Sequence, residues 1–418
     1  MTLPKDPPPK KNPQKRTQVP TRPPEARSRA SMAMSAAAAE GRFVLQVCPE
    51  CDAVQYPPRD ACHVCLNTNL NWKDVDPNGT LLAETTVNIS ALVYFRERGD
   101  WRVGTVKLDA GPSVVCHLHR DCVADEAVRL INRLDRAGQG VLVALPTDRN
   151  SSLETDPRLT TLANSPRHRR ALITDARTPS AVAIAKTLLD AGAATVFVGE
   201  AESWLPHDNR AALNAISGVE ILPLDVTDTS SVQRLAAEIG GKVDIMVNNA
   251  RFLRPGSVGA RGDTTVAAQE IEVNYLGLMR LAQAFGPGMA SRTADGANSA
   301  VAWVNILSVF CRSNWPDYGC FSAASAAAHS LSQNMRAEFR ASGLRVMNVY
   351  CGPTDDEWHQ PLPPPKVAPN ALARSIVHGL REGLEEVYCG DVAQDFAERL
   401  RENSGLLERE LTTVGDAP

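Results

Sequence analysis

The chain has 418 residues, with 44 lysines and arginines against 48 aspartates and glutamates and a net charge of −4. That length accommodates two or three domains, and the near-balanced charge gives no global pull toward nucleic acid. No apolar run approaches the roughly 20 residues of a membrane helix, and no apolar stretch follows the basic N-terminus as in a secretory signal, so a cytoplasmic, reducing setting is expected.

Residues 1–27 are rich in proline and basic residues, with eight Lys/Arg and two Asp/Glu in the first 30 positions. They carry too little apolar surface to offset ordering entropy, so a disordered basic arm is expected. Residues 28–70 open with an Ala- and Met-rich helix stopped by Gly41. Over 71–146 short strands such as "TLLAETTV", "WRVGTVKLD", "SVVCHLH" and "GVLVALP" alternate with Gly, Pro and Asp, which suggests a small antiparallel barrel. Residues 147–168 read as a polar linker.

From Arg169 the rhythm changes. The apolar strands "RRALIT", "ATVFVGE", "VEILPLD", "VDIMVNNA", "AVAWVNILS" and "LRVMNVY" are separated by helix-length segments at 180–191, 206–216, 228–239, 265–290 and 320–342. Such alternation predicts a doubly wound parallel sheet over 169–390. A helix over 391–403 follows, within a C-terminal stretch 391–418 that ends as an acidic tail.

Cys48-Pro-Glu-Cys51 and Cys62-His-Val-Cys65 are separated by ten residues. Two C-x2-C turns face to face offer four thiolates to one tetrahedral ion, which suits structural zinc and leaves no open catalytic position. Cys116, His117, His119 and Cys122 are too split by strand alternation to form a second centre.

These knuckles, the Pro57-Pro58-Arg59 step and the strands after them resemble the acyl-CoA-associated zinc-ribbon/OB-fold proteins. The resemblance covers about 28–146. It implies an accessory unit that binds acyl-CoA or docks a thiolase-like aldolase or acyltransferase, or a hydratase. Tyr94, Phe95, Arg96, Arg98 and Trp101 form an aromatic and basic loop that could stack an adenine and pair with phosphates, or simply pack on a neighbouring domain. The barrel region has no dense basic stripe and few aromatics, which argues against nucleic-acid binding.

The second half resembles the short-chain dehydrogenase/reductases. The likeness rests on Asp225-Val226, Asn248-Asn249-Ala250, Asn274, the Asn305-x-x-Ser308 step and Gly352-Pro353, in that order. A dinucleotide turn needs glycines so that backbone amides can approach the pyrophosphate. The three glycine positions of the family's turn hold Asp175, Pro179 and Ala181, with Arg177 between. Of the family's catalytic Asn, Ser, Tyr and Lys, Asn274 and Ser308 match, whereas Phe321 and Ser325 stand for the tyrosine and lysine. Phenylalanine cannot transfer a proton, and no lysine occurs between Lys242 and Lys366. NAD(P) binding is thereby put in doubt. If it persists, Asp175, Arg177, Glu200, Asp225, Val226 and Asn249 are the residues placed to meet it, Glu200 at a ribose hydroxyl.

The resulting expectation is an accessory or scaffold protein with a non-catalytic dehydrogenase-like domain, dimeric through the helices 265–290 and 320–342. The alternative is an NAD(P)-dependent short-chain oxidoreductase acting on an acyl-CoA or a steroid or fatty acyl ketone with an atypical active site.

Overall fold

The computed structural model describes residues 22–24, 28–293 and 299–413. Nearly all of the basic arm 1–27 and the end of the acidic tail lie outside these residues.

The N-terminal helix α1 (Met32–Ala39) leads into β1 (Val44–Val47), β2 (Val54–Gln55) and β3 (Asn71–Asp74). These form an antiparallel sheet in the order β2-β1-β3. β2 and β3 are too short or too polar to stand out by alternation. A barrel follows, made of β4 (Asn78–Val87), a one-turn helix α2 (Val93–Arg96), β5 (Trp101–Leu108), β6 (Ser113–Leu118), β7 (Ala127–Leu134) and β8 (Gly140–Pro146). It closes in the order β4-β5-β6-β8-β7. Pairing is antiparallel except at the closure, where β6 runs parallel to β8 through His117 opposite Val143 and Leu118 opposite Ala144. Leu81, Val106, Val114, Leu130 and Ala144 fill the interior at alternate positions, as the two-residue side-chain period requires.

Residues 147–168 connect the two halves as a packed strap. Leu153, Leu159, Leu162 and Ala163 are buried against Ile131, Val141 and Val143 of the barrel. The four apolar residues are spaced irregularly among polar ones, so no periodicity reveals them. The strap is also tied by His119, which is fully buried. Its Nε2 donates to Thr155 Oγ1 at 2.9 Å, and its Nδ1 accepts from Asp121 N at 3.2 Å. Acceptance at Nδ1 requires the neutral ring, protonated at Nε2.

Burial pushes the His119 imidazole pKa down, against the opposing pull of Asp156 and Asp121; Arg120 and Arg102 push with burial. A histidine whose folded pKa lies below its unfolded value of about 6.5 contributes stability above that pH and loses it as the pH falls. Burial lowers His329 in the same direction. Urea midpoints are therefore expected to drop between about pH 7 and pH 5, and to drop less in His119→Gln. An unchanged pH slope in that variant would remove His119 from the account.

The α/β unit comprises β9 (Arg170–Ile173), α3 (Ala181–Asp190), β10 (Thr195–Glu200), α4 (Asn209–Asn214), β11 (Val219–Pro223), α5 (Thr229–Ile239) and β12 (Ile245–Asn248). It continues through α6 (Thr265–Ile271), α7 (Leu278–Ser291), β13 (Ala302–Ser308), α8 (Gly319–Phe339), β14 (Arg345–Cys351), α9 (Pro369–Glu382), β15 (Glu386–Cys389) and α10 (Asp391–Thr413). The sheet order is β11-β10-β9-β12-β13-β14-β15, and every pair is parallel. One apolar layer lies on each face. The helix expected over 265–290 is interrupted by a π-turn at Glu272–Gly277, which carries Asn274.

The last helix runs past 403 and kinks at Asn403. There the Asn403 carboxamide oxygen accepts from the amides of Gly405 and Leu406 and restarts the helix. Leu407 and Leu411 then return to the core.

The two halves share a polar seam. Buried Arg345 donates to Leu134 O and Gly383 O, Glu385 N bonds Ala39 O, and Asn164 N bonds Leu380 O. Arg133 pairs with Glu382. Gly383 ends α9 with φ +63, and a Cβ there would lie 2.0 Å from Leu162 O. Only glycine lets the strap come so near.

Candidate functional site

The zinc centre is built by two matching knuckles. Cys48 N bonds Ala53 O, and Cys62 N bonds Asn67 O. Asp52 and Leu66, each directly after the second cysteine of its pair, take positive φ of 54 and 64. This geometry turns both sulfurs of each pair inward. The four Sγ atoms of Cys48, Cys51, Cys62 and Cys65 lie within 4.8 Å of one another. Four converging thiols, with no other candidate ligand in the group, fit tetrahedral zinc. Val64 N donates to Cys62 Sγ at 3.4 Å, a contact that favours the thiolate. Buried Gln46 and Gln55 bond each other, and Gln46 holds Arg59 N and O, which fixes the second knuckle's approach.

In the α/β unit the chain reverses its order of strands between β9 and β12. A crevice at the carboxyl ends of the strands is where such sheets bind dinucleotides. Here the turn after β9 is occupied by its own bonds. Asp175 N donates to Asn249 Oδ1 at 2.8 Å, Arg177 N to Asp175 Oδ1 at 2.8 Å, and Asn249 Nδ2 to Asp175 O and Thr178 Oγ1. Burial pushes the Asp175 carboxyl pKa up, against the Arg177 amide that favours its anion. The Arg177 guanidinium turns away to bond Ala201 O, Glu202 O and Leu205 O.

Glu200 is buried, and its carboxylate is taken by His207 at 2.8 Å and Arg210 at 3.4 Å. Asp225 accepts from Thr227 N and Oγ1 in a local turn, and Val226 packs on Gly277. The structure therefore brings Asp175, Arg177 and Asn249 together at one turn. Glu200 and Asp225 are spent on local partners.

Across the crevice runs a contact that only folding reveals. Arg251, the residue after Asn248-Asn249-Ala250, reaches Asp356 in the loop after β14 at 2.6 Å, and Thr354 Oγ1 at 3.1 Å. Asp356 also accepts from His359 Nδ1 at 2.9 Å and from the amides of Trp358 and His359. Burial alone would raise its pKa; the His359 bond and the Arg251 charge outweigh that and hold the carboxyl well below the usual carboxylate range. Beside this pair, the Arg254 guanidinium lies 3.6 Å from the Trp358 ring centroid and 4.4 Å from that of Phe252. The cavity bounded by Thr178, Asn249, Arg251, Thr354, Asp356 and Leu372 has a volume of about 30 Å3. That holds about one water molecule.

The positions of the expected catalytic set are equally closed. Phe321 is 2 % exposed and packs in the apolar core, and Ser325 is 4 % exposed. Ser308 Oγ accepts from Phe310 N at 3.2 Å as the cap of a short 3-10 turn. Asn274 bonds Phe252 N and O through its carboxamide. Tyr318, one helical turn before Phe321, is buried and donates to Trp358 O at 2.8 Å. Burial, with Asp356 and Asp317 nearby, pushes its phenol up to about 12.

The aromatic loop of the barrel folds on itself. Arg98 stacks 3.8 Å from the Tyr94 ring centroid, and Phe95 meets Trp101 edge to face.

Comparison with known proteins gives three successive matches. Residues 35–71 match the ChsH2 rubredoxin-like zinc ribbon domain, 72–133 the ChsH2 C-terminal OB-fold domain, and 169–366 the short chain dehydrogenase family. An uncharacterized oxidoreductase of Staphylococcus saprophyticus is 26% identical over 227 residues, 51% of this chain and 91% of the relative. One of Mycobacterium bovis is 28% identical over 186 residues, 43% of this chain and 53% of the relative. A short chain dehydrogenase from Burkholderia cenocepacia, solved in complex with NADP, superposes with a TM-score of 0.53 at 29% identity, covering 59% of this chain and 98% of its own.

Proposed function

For a chain that fuses a ChsH2-type zinc ribbon and OB-fold domain to a short-chain dehydrogenase domain, we propose an accessory role in acyl-CoA metabolism. The ribbon and barrel recognise an acyl-CoA or dock a thiolase-like or hydratase partner. The α/β domain scaffolds that assembly, pairs with a second copy through α6, α7 and α8, and transfers no hydride. The observation that carries this reading is the Arg251–Asp356 pair across the crevice. It spans the carboxyl ends of the strands, where such sheets take a dinucleotide, while Phe321 offers no proton donor at the position where the resembled family carries its tyrosine.

A second reading, a working oxidoreductase, is favoured by one specific observation: the relative from Burkholderia cenocepacia was solved with NADP. On that reading Arg251 and Asp356 separate, and Ser308 and Asn274 face the substrate.

Titration of the full-length, zinc-loaded protein with NADH and NADPH, followed by cofactor fluorescence, separates the two. On the accessory reading no saturation is expected up to about 1 mM, the upper end of ordinary cofactor and substrate affinities. A thiolase-like or hydratase protein is expected to co-purify. Saturable cofactor binding, with ketone turnover that falls in Ser308→Ala, would establish the oxidoreductase instead.

A further inference from the structure

A cleft of about 820 Å3 lies between the barrel and the α/β domain. It sits at the amino ends of β13 and β14, marked by Val301 and Arg345. The dinucleotide crevice is at the opposite ends of the same strands, roughly 20 Å away for seven residues of strand. Neither half of the molecule forms the cleft alone: the barrel gives Arg98, Trp101 and Arg136, and the strap supplies Arg158 and Arg167.

Four of its arginines form no ion pair with an acid among the described residues. Arg345 is 7% exposed and donates to the carbonyls of Gly383, Leu134 and Asp135. Arg136 donates to Thr293 O. Arg158 donates to Arg98 O, and Arg167 extends an exposed side chain at the mouth. The two acids on the wall are engaged by arginines that do not line the cleft, Glu97 by Arg96 at 3.3 Å and Glu154 by Arg381 at 3.2 Å.

Cations gathered in a partly dry cleft repel one another more than they would in water. Burial lowers the Arg136 pKa, and the neighbouring Arg98, Arg345 and Arg169 lower it further, partly opposed by Tyr94; burial likewise lowers Arg345, partly opposed by the nearby Glu385 and Asp135. A multiply charged anion relieves that repulsion. Guanidinium forks match phosphate oxygens two at a time, and a cleft of this size suits a nucleotide-sized molecule.

We propose that this interdomain cleft binds an oligophosphate ester of nucleotide size, with Arg345 and Arg136 holding it at depth and Arg158 and Arg167 closing on it at the mouth. The inference does not depend on whether the dehydrogenase domain is catalytic. ADP, which carries neither a pantetheine arm nor an acyl group, tests the cleft alone, so failure of the inference is separable from that of the accessory role, which rests on an acyl-CoA or a protein partner.

Calorimetric titration of the full-length, zinc-loaded protein with inorganic pyrophosphate, ADP and coenzyme A, at about 50 mM salt to limit screening, tests it. Saturable binding of ADP or coenzyme A is expected, weakened at least about tenfold in Arg158→Glu/Arg167→Glu. Equal affinities for ADP and coenzyme A assign the recognition to their shared adenosine diphosphate, and pyrophosphate separates the diphosphate from the adenosine; tighter coenzyme A adds its 3′-phosphate or pantetheine arm. Both altered residues are exposed, and circular dichroism confirms that the variant is folded; Arg136→Gln is the second variant, expected to weaken binding in the same sense. Arg374→Glu/Arg409→Glu, exposed positions away from the cleft, controls for net charge. The proposal is overturned if no probe saturates, if the cleft variants bind as the parent does, or if the control weakens binding equally.

Discussion

Cys62→Ser is expected to abolish stoichiometric zinc and to unfold residues 44–74, leaving α1, the barrel and the α/β domain folded. The ribbon has three short strands and few buried apolar residues of its own, Val44, Leu45 and Val47 chief among them. A unit that small depends on its metal, and structural zinc contributes about 10–16 kcal/mol of apparent folding free energy near neutral pH. The barrel does not share that dependence. It closes through its own ladder, and α1 reaches it directly, with Met34 O accepting from Asn132 Nδ2 and Ser35 Oγ accepting from Gly140 N. Metal analysis should give one zinc per parent chain and less than about one tenth of that in the variant. Hydrogen exchange should show protection lost over the ribbon alone. Full zinc content in Cys62→Ser, or protection retained across the knuckles, would refute the assignment.

Asp356→Ala carries the second large effect. The carboxylate is 4% exposed and receives Arg251, Thr354, His359 and two backbone amides. Removing it strands a partly buried guanidinium and uncaps the 357–359 turn, a loss of about 3–5 kcal/mol for a pair of this kind. Because the folded pKa lies below the unfolded value of about 3.9, the contribution is fully present above that value and disappears as the pH falls toward the folded pKa. Urea unfolding of parent and variant should therefore differ by that amount at neutral pH, and the gap should narrow only in strong acid. A gap below about 1 kcal/mol at neutral pH would mean that the contact is a surface pair of little worth, and the closed crevice would lose its lock.

Much of the zinc centre and the sheet was legible because each depends on short-range pattern. Two C-x2-C turns specify their own geometry within a few residues, and the apolar runs from Arg170 to Cys389 announce buried parallel strands. β2, β3 and α2 were not legible, since two to four residues give no period to read. The longer last helix was missed for another reason: Asn403 and Gly405 look like a helix end, and only the docking of Leu407 and Leu411 on the core continues it.

The candidate sites divide in the same way. Phe321 and Ser325, where the resembled family carries tyrosine and lysine, and a turn at 174–181 without glycine are each read at single positions. The union of Arg251 and Asp356 joins residues 105 apart in the chain, and only the fold brings them together. The fate of Glu200 was likewise decided by His207 and Arg210, which approach it only when the loop after β10 folds back.

By itself the sequence determined local chemistry: which thiols converge on a metal, which strands are buried on both faces, and where side chains depart from the resembled family's pattern. The tertiary structure alone decided which charges meet and which are left to face open space. Pairing energies depend on distance and on exclusion of water, and neither is set until the chain folds. Folding of the α/β domain places an ion pair across one crevice, and docking of the two halves forms another lined with arginines.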